Sequence, residues 1–146
     1  MLTAPVLRAV GLLTAWGSGG AALPADAFTA AGGRPVLPLG RPAYDRDRLR
    51  RVPRECLLGI AAVEAMLEDA RAGREEISGE RTALLYASAG SYAASNRLFI
   101  DHGSGGAYFP YTAPAAVPGE AAVEFGITGP YAIFLGGPPA TLRAIW

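Results

Sequence analysis

The single histidine of the chain, His102, directly follows a carboxylate, Asp101, and several serines lie close by in the sequence. A serine nucleophile requires an imidazole base that a carboxylate orients, so Asp101 and His102 are candidates for a hydrolytic or acyl-transfer centre. The nucleophile elbow that many such enzymes carry, Gly-x-Ser-x-Gly, is absent, because Gly103-Ser104-Gly105 falls short of it. The sequence therefore favours a loop histidine without a catalytic role and keeps the enzyme as an alternative.

Two glycine-rich segments, 17–20 and 103–106, could offer a cradle of backbone N–H groups to a phosphate. Neither matches the Walker pattern, and the chain contains no lysine to follow such a loop. Glycine also serves turns that need a positive φ. We expect both segments to be turns.

Six arginines lie between positions 41 and 54 with only two aspartates, which gives this arginine block a local charge of +4. Clustered guanidinium groups suit bidentate contacts with phosphate or with acidic surfaces. The candidates for binding an anionic partner are Arg46, Arg48, Arg50 and Arg51. Residues 55–80 offset the block with a local charge of −5, and the whole chain has no net charge. This balance argues against a nucleic-acid partner.

Cys56 is the only cysteine, which excludes an intramolecular disulfide and a multi-cysteine metal site. It lies on the apolar stripe of the clearest predicted helix, where a free cysteine is usually a small core residue. We therefore expect neither a metal nor a cofactor. Only Arg8 precedes the first apolar run, and no stretch approaches the roughly 18 apolar residues that span a bilayer. We expect no secretory signal, no membrane partner and a cytoplasmic location.

The composition is that of a folded domain. The 146 residues include 51% hydrophobic and 18% charged residues, and the mean hydropathy is +0.23, unlike a disordered chain. This length is about that of one domain, so we expect a single domain over 1–146. Residues 18–50 are rich in proline, glycine and arginine, and we expect them to be mostly loop, with one helical turn at 26–31.

Short apolar runs alternate with amphipathic stretches, which is typical of an α/β protein. The predicted strands are 5–16, 82–87 and 131–135, the second of them buried on both faces of a sheet. The predicted helices are 52–70 with Gly73 at its end, 91–100 with Ser91 as N-cap, 114–125 closed by Gly126, and 140–146. These elements predict a mixed sheet flanked by helices.

Four segments carry a family resemblance: 6–17, 51–70, 81–89 and 114–130. The last is the most specific, because it ends in Gly-Ile-Thr-Gly-Pro before an apolar strand and a helix. In this order the segments resemble the N-terminal half of a β-ketoacyl-acyl-carrier-protein synthase, a ketosynthase of the thiolase superfamily. The resemblance implies a layered, thiolase-like N-terminal half.

The resemblance also implies a missing nucleophile. In this family the strand after Gly-Pro leads to a strand-to-helix turn that carries the catalytic cysteine, and the equivalent position here is Pro138. Its glycine and proline neighbours offer no substitute, and Thr141 has no evident base. Family members further use two histidines from a C-terminal half, which would lie beyond Trp146. We therefore expect no catalytic residues and no condensation of acyl chains.

Partners follow from the same resemblance. In the resembled enzymes two halves pack together, so the apolar face toward the second half needs a cover. We expect a homodimer or a hetero-oligomer with a ketosynthase-like protein, as for chain-length-factor subunits in fatty-acid or polyketide biosynthesis. Family dimers join through the strand equivalent to 131–135, so Tyr131, Ile133 and Leu135 are the expected interface. The arginine block would meet an acidic acyl carrier protein. One half of a split thiolase-fold protein is the remaining alternative.

Overall fold

The computed structural model describes residues 6–101, 106 and 108–145, which form an α/β arrangement of short strands and six helices. The strands are β1 (Leu13–Thr14), β2 (Gly17–Ser18), β3 (Leu84–Ser88) and β4 (Tyr131–Leu135). The helices are α1 (Ala27–Ala30), α2 (Asp47–Arg50), α3 (Arg54–Ala70), α4 (Ala93–Asp101), α5 (Ala116–Phe125) and α6 (Pro138–Ile145). Three 3-10 turns cover Gly20–Ala22, Arg74–Glu76 and Phe109–Thr112.

Helix α3 is the centre of the core, as its apolar stripe predicts. Leu57 and Ile60 are fully buried, and they belong to one cluster with Val117 and Phe125 of α5. Leu49 of α2 joins the same cluster, which ties the short helix to the core. The packing of α3 against α5 therefore organises the molecule.

The end of α3 differs from the prediction. Arg71, not Gly73, takes the left-handed conformation, with φ 53°. The amide of Ala72 donates to the carbonyl of Leu67 at 2.9 Å, and that of Arg71 donates to Glu68 at 3.1 Å, which is the Schellman pattern. Gly73 lies two residues too late to occupy the left-handed position. By contrast, Gly126 closes α5 with φ 67°, as predicted.

The larger sheet is a parallel pair, β3 and β4, with Leu84 opposite Tyr131 and Ser88 opposite Leu135. Parallel strands need a long crossover, and here it contains α4, the turn Phe109–Thr112 and α5. Leu84 and Tyr86 pack against the core cluster. Leu85 points to the opposite face and is 57% exposed, so the prediction that β3 is buried on both faces is wrong.

The N-terminal strand is much shorter than predicted. Only Leu13–Thr14 is a strand, and it pairs with β2 in an antiparallel ladder separate from the parallel pair. The segment before it crosses α3, where a Cβ at Gly11 would lie 1.9 Å from the carbonyl oxygen of Ala62. Contact with α3 takes the place of pairing with β3. The described residues thus hold two separate ladders where one mixed sheet was predicted.

The starts of α1 and α4 compare differently with their predictions. The turn predicted at 26–31 is α1, whose N-cap Asp26 accepts from the amides of Phe28 and Thr29. Helix α4 begins at Ala93 and not at Ser91, whose hydroxyl contacts that of Tyr86. The hydroxyl of Ser91 is thus hydrogen-bonded to a residue of β3.

Among the residues with described structure, no helix has the length and apolar character needed to cross a bilayer.

Candidate functional site

The position expected for a nucleophile, Pro138, is the first residue of α6, immediately after β4 and two glycines. It borders a cavity of about 520 Å³ at the carboxyl ends of the two parallel strands, where α/β proteins commonly bind ligands. The polar side chains that line it are Ser88 and Thr141. The Ser88 hydroxyl oxygen accepts from the amides of Gly90 and Ser91, so it shapes the turn after β3. None of the described lining residues can serve as a base.

Of the alternative centre at Asp101 and His102, the structure describes only Asp101. Asp101 is the last residue of α4 and is exposed. His102 and the glycine-rich residues 103–105 lie outside the described residues. Within the described ranges, no group of three histidine, cysteine or acidic side chains could hold a metal ion.

Half of the predicted anion-binding set is engaged within the chain. Arg48 bridges the two acids of α5, with Nη1 2.6 Å from Glu120 Oε2 and Nη2 2.7 Å from Glu124 Oε2. Arg46 contacts Glu124 too, and Arg74 Nη2 lies 2.6 Å from Glu124 Oε1. The Glu124 side chain is only 5% exposed. An anionic partner at Arg46 and Arg48 would therefore compete with carboxylates that already hold them.

The two acids that hold these arginines, Glu120 and Glu124, were not among the residues predicted from the sequence. Glu120 and Glu124 stand four residues apart on α5, which places both on one helix face. That spacing was the available signal. Their arginine partners lie 50 to 78 residues earlier in the chain, and no local pattern shows such a pairing.

The other two predicted anion-binding residues, Arg50 and Arg51, have no close carboxylate partner among the described residues. Arg50 has only weak ion pairs, with Nε 3.4 Å from Asp47 Oδ1 and Nη2 3.8 Å from Asp45 Oδ1, and both acids are solvated. Arg51 is exposed. Both arginines line a cavity of about 670 Å³, together with Arg41 and Arg54. The arginine block is thus divided between an internal ion-pair cluster and the rim of a cavity.

Among the described strands, the predicted interface strand β4 has a partner on one side only. It pairs with β3, and no described strand adjoins its other edge. Tyr131 and Leu135 are 62% and 52% exposed, and Ile133 is half-buried between them. The two strands make a small parallel sheet. Parallel sheets are ordinarily covered on both faces, whereas β4 leaves Tyr131 and Leu135 exposed.

Cys56 is buried in the core at 2% exposure. Burial raises the pKa of its thiol to about 12, with Glu120 and Glu55 adding to the effect. Since the thiolate is the reactive form, a thiol with a raised pKa reacts slowly with alkylating agents.

We expect Cys56 in the folded protein to resist iodoacetamide at pH 8, where only about one thiol in 10⁴ would be ionised, and to react promptly in guanidinium chloride. Intact-mass measurement over time gives both rates. Equal rates in the two conditions would contradict its burial.

The comparisons with known proteins assign no family. No family model, no curated protein and no solved structure matches this chain.

Proposed function

We propose that this chain is a catalytically silent, ketosynthase-like subunit that acts through protein contacts in fatty-acid or polyketide-type biosynthesis. The observation that carries the proposal is the open edge of β4. The thiolase-like layering implied by the resemblance belongs to the same proposal. Such a layer needs a larger sheet, and a partner strand at β4 would extend the β3–β4 pair into one.

The edge of β4 lacks the features that normally prevent pairing. Exposed edge strands usually carry lysine, proline or a bulge. The five residues Tyr131–Leu135 contain neither a charge nor a proline. The unpaired backbone groups are therefore available to a strand from another chain, and the side chains of Tyr131 and Leu135 would lose exposed apolar surface on pairing.

A second copy of this chain fits the edge. An isologous two-fold contact requires a self-complementary strand. An antiparallel pair of β4 strands centred on Ile133 places Tyr131 of each copy opposite Leu135 of the other. A ketosynthase-like protein that presents an equivalent strand would use the same edge, which gives the hetero-oligomer.

Catalytic silence rests on the turn after β4. A thioester-forming mechanism needs an activated nucleophile with a proton acceptor. The turn offers Pro138, and the described residues around its cavity include no titratable group. Contact with an acidic acyl carrier protein remains part of the proposal, through Arg50 and Arg51, whose charges are the less compensated.

The test compares Leu135→Lys with Val36→Lys by light scattering over a concentration series. Both positions are exposed, at 52% and 77%, but Val36 lies in a loop outside the sheet. We expect the natural chain and Val36→Lys to reach about twice 15.1 kDa, and Leu135→Lys to stay monomeric, because the charge would be desolvated at the interface. A natural chain that is monomeric at all concentrations, or a gain of acyl mass after incubation with an acyl thioester, would overturn the proposal.

A further inference from the structure

We propose that the cavity between the start of α3 and the turn Phe109–Thr112 binds a small organic phosphate. Arg41, Arg51 and Arg54 would hold the phosphate, and an apolar or aromatic body would lie against Leu98 and Tyr111. This site is separate from the β4 edge, and although it shares Arg50 and Arg51 with the proposed carrier-protein contact, it does not depend on that contact.

The cavity has an excess of positive charge. Four arginines line it, and the one acid among the described lining residues is Glu55. Arg50 is partly compensated by Asp47, which is solvated. An excess of guanidinium groups favours an anion with more than one negative charge, and a phosphate monoester carries about 1.5 to 2 at neutral pH.

Two of these arginines are held in place without being neutralised. Arg41 Nη2 donates to the carbonyls of Arg50 and Val52, both at 3.0 Å. Arg54 Nε donates to the carbonyl of Leu39 at 3.0 Å. Carbonyl acceptors fix the planar groups but bring no opposite charge, and within the described ranges neither side chain makes an ion pair. This differs from Arg46 and Arg48, whose partners are carboxylates.

Arg51 supplies a charge that can move to the ligand. It is the C-cap residue of α2, is exposed, and makes no ion pair with a described residue. The start of α3 adds to the same field. Pro53, its N-cap, offers no side-chain acceptor to the first-turn amides. Because Arg54 and Glu55 of this first turn line the cavity, the positive end of a 17-residue helix dipole lies beside it.

The remaining walls suit an organic body. Leu98, Pro110 and Tyr111 provide apolar and aromatic surface. Burial, with the neighbouring Glu120, raises the pKa of Tyr111, whose hydroxyl donates to Glu120, so the ring stays neutral beside an anion. A volume of about 670 Å³ lies within the usual range for small-molecule sites. A cavity of this size favours a small molecule over a phosphorylated protein segment.

The test measures binding of 1-naphthyl phosphate by titration calorimetry, with inorganic phosphate and 1-naphthol as the two partial ligands. The variants are Arg51→Gln and Arg54→Gln, and the matched control is Arg34→Gln, an exposed arginine outside the cavity. The Arg51 side chain makes no hydrogen bond with a described residue, so Arg51→Gln keeps the test informative if Arg54→Gln destabilises the loop at Leu39.

We expect saturable binding of 1-naphthyl phosphate that weakens with added salt, about tenfold weaker binding in Arg51→Gln, and no change in Arg34→Gln. Both partial ligands should bind more weakly than the whole. Equal losses in Arg51→Gln and Arg34→Gln would indicate general electrostatic attraction and overturn the site. So would the absence of saturable binding, or tight binding only of a phosphorylated peptide.

Discussion

Replacing Glu124 by alanine is expected to lower the free energy of unfolding by about 2–4 kcal/mol. Its nearly buried carboxylate holds Arg46 and Arg48 at the start of α2 and Arg74 in the turn after α3. Removing it leaves three cations close together without their common partner. The arginines are 42% to 51% exposed and can be rehydrated in part, which keeps the loss below the largest values for buried pairs.

Urea denaturation measures this loss as a lower midpoint with an unchanged slope. The control is Glu76→Ala, at an exposed position, where we expect a change within about 0.5 kcal/mol. Glu124→Gln keeps the shape and some hydrogen bonding but removes the charge, so it should fall between the two. If Glu124→Ala and Glu76→Ala unfold at the same concentration, the cluster does not stabilise the fold.

Gly129→Ala is expected to cost about 3 kcal/mol or more of unfolding free energy. A Cβ at this position would lie 2.2 Å from the carbonyl oxygen of Thr82 and 2.5 Å from that of Glu80. These are backbone atoms. Their segment is fixed by the bond from Leu84 N to Pro130 O at 3.0 Å and by that from Thr128 N to Gly79 O at 3.1 Å. Relief of the clash would require the parallel pair to separate at its start.

The matched control is Gly119→Ala in the interior of α5. Apart from its chain neighbours and the backbone of α5 itself, no heavy atom lies within 4 Å of a Cβ added there, so alanine should stabilise the helix by about 0.5–1 kcal/mol. Thermal unfolding followed by circular dichroism would then shift the two variants in opposite directions. A Gly129→Ala protein as stable as the natural chain would show that the turn before β4 is looser than described.

The local patterns of the sequence predict the elements that carry their own signals. The apolar stripe of 52–70 predicts α3, Gly126 predicts the end of α5, and the run after Gly129-Pro130 predicts β4. The prediction of a strand over 5–16 is wrong because hydrophobicity predicts burial but does not identify the packing partner. Residues near Gly11 pack on α3 and not beside β3.

The candidate site shows the same division. The density of arginines between 41 and 54 is visible in the sequence, and so is the absence of a nucleophile at Pro138. Which arginines are neutralised depends on contacts across more than 70 residues, as for Arg48 with Glu120. Such pairings arise from the packing of α5 on α3, and local spacing carries no information about them.

Helix α2 has only four residues, too few for a stable helix on its own. Its position depends on Leu49 in the core and on Arg48 at α5, while Arg50 and the following Arg51 line the cavity. The helix thus connects the core and α5 to the rim of the cavity. Loosening of α5 would therefore release the rim of the cavity as well, because both depend on the same contacts of α2.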